Sequence, residues 1–73
     1  MKKYVVVDWK KHEEFEDIFD TEQEAITAAD SLWEHLTAHD KSERESFEVL
    51  YGEVDGDGIL DLESAFIVKK YKG

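Results

Sequence analysis

The sequence contains no cysteine and no proline. Without cysteine there is no disulfide framework and no thiolate metal or redox site. Without proline, nothing forces a break in a helix or removes a ladder hydrogen bond from a strand. Apolar runs are short: Tyr4–Val7 and Ala65–Val68 are typical, far below the length of a membrane-spanning helix. Asp8 interrupts the only apolar stretch near the start, so no secretory h-region is present and a cytoplasmic location is expected. Bases are scarce, with 9 Lys and Arg against 19 Asp and Glu, for a net charge of -10.

What is present is enough to fold. Of the 73 residues 41% are hydrophobic and 12% aromatic, which with clear periodicity argues against disorder. The length allows one domain, 1–73. A chain this short buries about 60% of its unfolded surface, so its core is small.

The charge is unevenly placed. All acids except Asp8 lie in 13–63, where only Lys41 and Arg44 are basic; the remaining bases are lysines near the two ends. A field of this sign disfavours direct binding to nucleic acid or anionic lipid, because phosphate contacts need clustered cations. It favours basic partners, or mimicry of nucleic acid toward a protein that binds it. The same acidity also serves simple solubility.

Lys3–Trp9 reads as a strand, being β-branched and aromatic. Val5, Val7 and Trp9 share one face, and Tyr4, Val6 and Asp8 the other. After a polar turn, Glu14–Phe19 reads as a second strand forming a hairpin with the first. Asp17 between Phe15 and Phe19 implies a bulge or a lightly buried edge. Thr21-x-x-Glu24 has the spacing of a capping box and opens a helix. Ala25, Ala28, Ala29, Leu32, Trp33 and Leu36 then follow one helical face. The helix is expected to end near Leu36–His39, with Thr37-x-x-Asp40 capping a further short turn. Phe47–Val54 and Ala65–Tyr71 complete the strands, separated by a loop rich in Asp and Gly.

The expected fold class is therefore α+β: a single helix packed on one face of a three- to four-stranded, mainly antiparallel sheet, in the order β-β-α-β-β. Trp9, Trp33 and Leu36 are expected to pack between helix and sheet. One helix covers one face, so apolar residues on the other face become candidates for a partner surface. These are Tyr4, Val6, Leu50 and Tyr71, with Ile67 beside them and Glu22, Asp30 and Glu34 as an acidic rim. The alternative is a partly wet sheet face carrying scattered aromatics.

Two metal motifs call for attention. Residues 53–64 resemble an EF-hand calcium loop, with Asp55, Asp57 and Asp61 at its third, fifth and ninth positions, Gly58 at the sixth and Leu60 at the eighth. Glu53 and Ser64 depart from that pattern at the first and last positions, and the flanks lean toward strand. A plain acidic loop is the competing reading, because Asp and Gly are common turn residues. His35 and His39 are four apart and would share a helix face as two zinc ligands. The competing reading is two histidines near a helix C-terminus. His12 sits in a predicted turn.

Carboxylate neighbours such as Glu13/Glu14, Glu43/Glu45 and Asp55/Asp57 are too abundant to mark catalysis, and none is tied to an apolar pocket. No catalytic residue and no cofactor is expected, calcium at the 53–64 loop excepted.

Tyr4-Val-Val-Val, Phe19-Asp20-Thr21 with Glu24-Ala25, Trp33-x-x-Leu36-Thr37 and Phe47-x-Val49-Leu50 together resemble a family of short, acidic, uncharacterised proteins of Firmicutes and their phages and mobile elements. The resemblance spans roughly residues 4–50 and implies a small α+β fold, with no activity and no site residue to carry over. The sequence thus leads to a non-catalytic protein-binding module acting through an open sheet face, with a homodimer as one form. The alternatives are a divalent-cation-binding protein and an acidic nucleic-acid mimic.

Overall fold

A computed structural model of the chain describes residues 1–10 and 13–72. Its elements are β1 (Lys2–Lys10), β2 (Glu13–Phe19), α1 (Glu22–Glu34), α2 (Ala38–Glu43), β3 (Arg44–Glu53) and β4 (Phe66–Lys70). The strands form one antiparallel sheet in the order β2-β1-β3-β4, with α1 packed on one face. The fold is α+β, as the periodicities imply. Among the described residues no helix is long and apolar enough to cross a membrane.

α1 begins where Thr21 accepts a hydrogen bond from the Glu24 amide, at 3.2 Å. Glu24 does not reach back to the Thr21 backbone. Its carboxylate instead accepts from the Thr21 hydroxyl at 2.9 Å. The reciprocal capping box is at α2, where Thr37 and Asp40 each hold the other's backbone N–H. These bonds from Thr37 hold the Asp40 carboxyl below its ordinary range.

α1 ends earlier than predicted, with His35 as its cap, because the Leu36 amide turns back to the Trp33 carbonyl. The buried stripe is also narrower. Ala25 and Ala29 are fully buried, and their small side chains let the helix lie close against Val6 and Val49. Ile26, Trp33 and Leu36 pack around them, whereas Leu32 is exposed.

Two apolar clusters sandwich the sheet. On the helix side, Val6, Phe47 and Val49 meet Ala25 and Ala29, with Tyr4, Phe19, Trp33, Val68 and Tyr71 packed against them. On the other side, Val5, Val7 and Leu50 meet Val54 and Leu60, with Trp9 and Ala65 alongside. This corrects the predicted facing. Tyr4, Val6 and Tyr71 lie under the helix instead of opposite it, and Trp9 lies away from it. The alternation expected within β1 and within β3 holds, but Leu50 pairs with Val5 and so does not share the face of Tyr4 and Val6 that was expected for it. Alternation gives which residues share a face, but the side the helix covers is set by how the chain crosses over.

The face opposite the helix is also not open. The acidic segment folds back over it, with Val54 and Leu60 joined in an antiparallel bridge and each 8% exposed. Leu50 sits under this cover and is buried. At Gly52 the covering segment comes so close that an added Cβ would lie 2.8 Å from the Ala65 Cα. The sequence carried a sign of this double cover. Val5-Val6-Val7 is an unbroken β-branched run, as expected of a strand buried on both faces, and all three are essentially inaccessible.

Candidate interaction surface

With both faces of the sheet centre closed, its exposed apolar side chains lie on the outer strands. β2 is a regular edge strand with no register shift against β1, and Asp17 is not re-aimed by a bulge. Phe15 is 64% exposed and Ile18 42%. At the opposite edge, Phe66 is 60% exposed and Ile67 52%. An aromatic row leads inward from Phe66 on the helix side: its ring is 5.5 Å from Tyr51, which is 4.4 Å from Tyr4. Tyr4, Tyr51, Phe66 and Val68 line a shallow groove beside Glu22 at the start of α1.

The far end of β4 is tied to the helix. Asp30 accepts a hydrogen bond from Lys69 Nζ at 2.8 Å and another from the Tyr71 hydroxyl. The Tyr71 amide donates to the Phe47 carbonyl at 2.9 Å. Its ring packs edge-on against Phe47 at 5.2 Å and against Trp33 at 5.6 Å. Asp30 was expected in an acidic rim, but it is the helix's anchor for the last strand. A bulge between Val49 and Leu50 in the β3–β4 register accompanies this. Sequence alternation alone would not place Lys69 and Tyr71 on the helix side.

The anchor has a pH signature. Hydrogen bonds from Lys69 and Tyr71 hold the Asp30 carboxyl below its usual range. Partial burial, reinforced by Asp30, pushes the Tyr71 phenol up to about 12. A depressed acid stabilises the fold above its ordinary pKa and loses that contribution as pH falls through the lowered value. A raised phenol favours the fold below its ordinary pKa of 10.0 and loses that contribution as pH climbs toward about 12. Ultraviolet titration of the phenols is expected to show a last step near pH 12 that Tyr71→Phe removes. An unchanged profile in that variant would contradict the assignment.

A second ion pair crosses from β1 to the start of β3. Arg44 Nε lies 2.7 Å from Asp8 Oδ1, with side chains only 12% and 23% exposed. The N–H is not aligned along this contact, so the pair is held by charge rather than by a directed hydrogen bond. Arg44 also donates to the Asp40 carbonyl at 3.1 Å. This links α2 to the sheet. Neither residue stood out in the sequence, because a lone Asp in a strand resembles any solvent-facing polar position. Lys41 sits over the Trp33 ring at 5.1 Å, and Lys70 and Lys72 line the same shallow cleft.

Two of the three carboxylates predicted to bind metal, those of Asp55 and Asp61, accept backbone hydrogen bonds within the loop. Asp55 Oδ1 accepts from the amides of Asp57 and Ile59 at 2.9 and 3.0 Å, and Asp61 Oδ1 accepts from the Glu63 amide at 3.1 Å. With Gly58 at φ 80, these bonds make a tight turn between Val54 and Leu60. Among the described residues no three His, Asp or Glu side chains converge as a metal ion would require. His35 and His39 do not share a helix face, because one caps α1 and the other lies in α2. The His35 ring contacts the Ser31 carbonyl, and His39 pairs with Glu43. His12 lies outside the described residues.

Comparison with protein-family models, curated proteins and solved structures finds no match for this chain.

Proposed function

We propose that the chain is a non-catalytic protein-binding module that recruits an extended strand to the outer edge of β4. The observation that carries this is the exposure of Phe66 and Ile67 on a five-residue strand that ends the sheet. An edge strand offers a row of backbone donors and acceptors, and exposed apolar side chains on it gain by being covered. Natural edges are usually protected, and β4 keeps only part of that protection. Lysines occupy its last two positions, while its first three are Phe-Ile-Val. The double cover of the sheet centre favours this edge over the open face expected from sequence. The 53–64 loop supports a structural role: its carboxylates hold the turn that places Leu60 over Val5, Val7 and Leu50.

The test is capture from lysate by the intact chain, read alongside hydrogen exchange of the β4 amides. A bound strand is expected to protect the Phe66–Lys70 amides. Phe66→Lys with Ile67→Lys is expected to lose the partner while keeping the far-ultraviolet spectrum. A partner held equally well by that double variant, or bound without protecting β4, removes the proposal.

A further inference from the structure

The two outer strands of the sheet carry opposite charge. β2 reads Glu-Glu-Phe-Glu-Asp-Ile-Phe, with acids and no base. β4 reads Phe-Ile-Val-Lys-Lys and is followed by Tyr71 and Lys72. Each strand is also divided along its length. β2 is acidic at Glu13, Glu14 and Glu16 and apolar at Ile18 and Phe19. β4 is apolar at Phe66 and Ile67 and basic at Lys69 and Lys70. Laid antiparallel, acid meets base at one end and apolar meets apolar at the other, with Phe15 and Asp17 of β2 outside this division. Laid parallel, both matches fail.

The sheet supplies the antiparallel direction. β2 and β3 both run against β1, and β4 runs against β3. β4 therefore runs with β1 and against β2. A second copy placed beside the first, helix on the same side, sets its β2 antiparallel to the first copy's β4.

From this double match we infer that the strand received by β4 is β2 of a second copy of this chain, so that sheets join edge to edge, head to tail. The inference rests on the strand-addition reading above and supplies its partner. Symmetric pairing of like edges is disfavoured. Run antiparallel, β2 against β2 or β4 against β4 sets a charged half against an apolar half; run parallel, each sets like charge against like charge. A head-to-tail contact leaves one β2 edge and one β4 edge free at the ends, so the assembly grows instead of stopping at two. The net charge of -10 on every copy opposes association in any geometry. The complementary edges select which geometry survives, and Lys70 with Lys72 carry most of the selection because Lys69 already serves Asp30.

Sedimentation velocity across micromolar to millimolar concentration tests this, with two charge-reversed variants at exposed positions. Wild type is expected to grow in mass with concentration past the dimer. Glu14→Lys with Glu16→Lys cancels the negative charge of β2, and Lys70→Glu with Lys72→Glu makes both edges acidic. Each variant alone is expected to associate at least about tenfold more weakly than wild type, and an equimolar mixture to recover association. Circular dichroism checks that both remain folded. A wild type that stays monomeric throughout overturns the inference and leaves strand addition to the capture test. Association that stops at a dimer, or that survives in either variant alone, also overturns it. Another protein captured through β4 by a strictly monomeric chain sinks the self-pairing and keeps the module.

Discussion

Replacing Phe47 with alanine is expected to leave the chain largely unfolded at room temperature. Phe47 is 2% exposed and central to the helix-side cluster, with its ring 5.0 Å from Trp33 and 5.2 Å from Tyr71. Truncating a buried phenylalanine costs about 3–5 kcal/mol, the lost transfer energy plus the cavity left behind. A single core in a chain of this size rarely supplies more than about 3–5 kcal/mol in total. The cost is therefore comparable to the whole stability, and little can collapse into the gap. Ala25 and Ala29 are too small to reach it, and Tyr71 is held by Asp30. Near-ultraviolet circular dichroism and thermal melting read the result. A cooperative melt within a few degrees of wild type would show that Phe47 is not the keystone of this cluster.

The second large effect concerns the cover on the opposite face. Gly52→Ala adds one methyl group where Ala65 backbone already stands 2.8 Å from the new Cβ, and neither side is a flexible side-chain end. Overpacking of this kind costs about 1–3 kcal/mol. The response should be specific as well as destabilising. The segment from Val54 to Ala65 is pushed outward, and Val5, Val7 and Leu50 lose part of their roof. Increased binding of an apolar dye below the melting temperature is expected together with the loss of stability. Ile59→Ser, in the same segment but 63% exposed, is expected to change stability by less than about 0.5 kcal/mol. Equal behaviour of the two variants would mean that the cover is loose and the sheet face effectively open.

These effects also locate the boundary of what the chain's order of residues conveys. Thr21 and Thr37 are legible as caps because the hydroxyl acts on an amide three residues away, which is a local matter. The stripe from Ala25 to Leu36 and the alternation in β1 and β3 are legible for the same reason: backbone periodicity alone fixes which side chains stand together. Asp17 between two phenylalanines signalled an edge strand, and β2 is one. The valine run at Val5–Val7 held a further clue to burial on both faces, and reading it that way would have raised the opposite face as closed.

The candidate surface was legible only in part. Phe66, Ile67 and the lysines after them can be read off as a strand, but their position at a sheet edge depends on the order β2-β1-β3-β4. The Asp30–Lys69–Tyr71 anchor joins residues about forty positions apart, through a bulge that no local pattern announces. Asp55 looked like a cation ligand because a carboxylate among glycines suits both an ion and a turn. Only the folded loop shows that its oxygen is spent on the amides of Asp57 and Ile59.

The sequence by itself determined the elements, their caps and the alternation of side chains within β1 and β3, because each follows from backbone geometry within a few residues. The tertiary structure alone decided which face the helix took, that the acidic segment closes the other, and that acidic and basic strands end the sheet on opposite sides. Those outcomes depend on where distant segments come to rest, which is set by burial of the whole apolar surface at once.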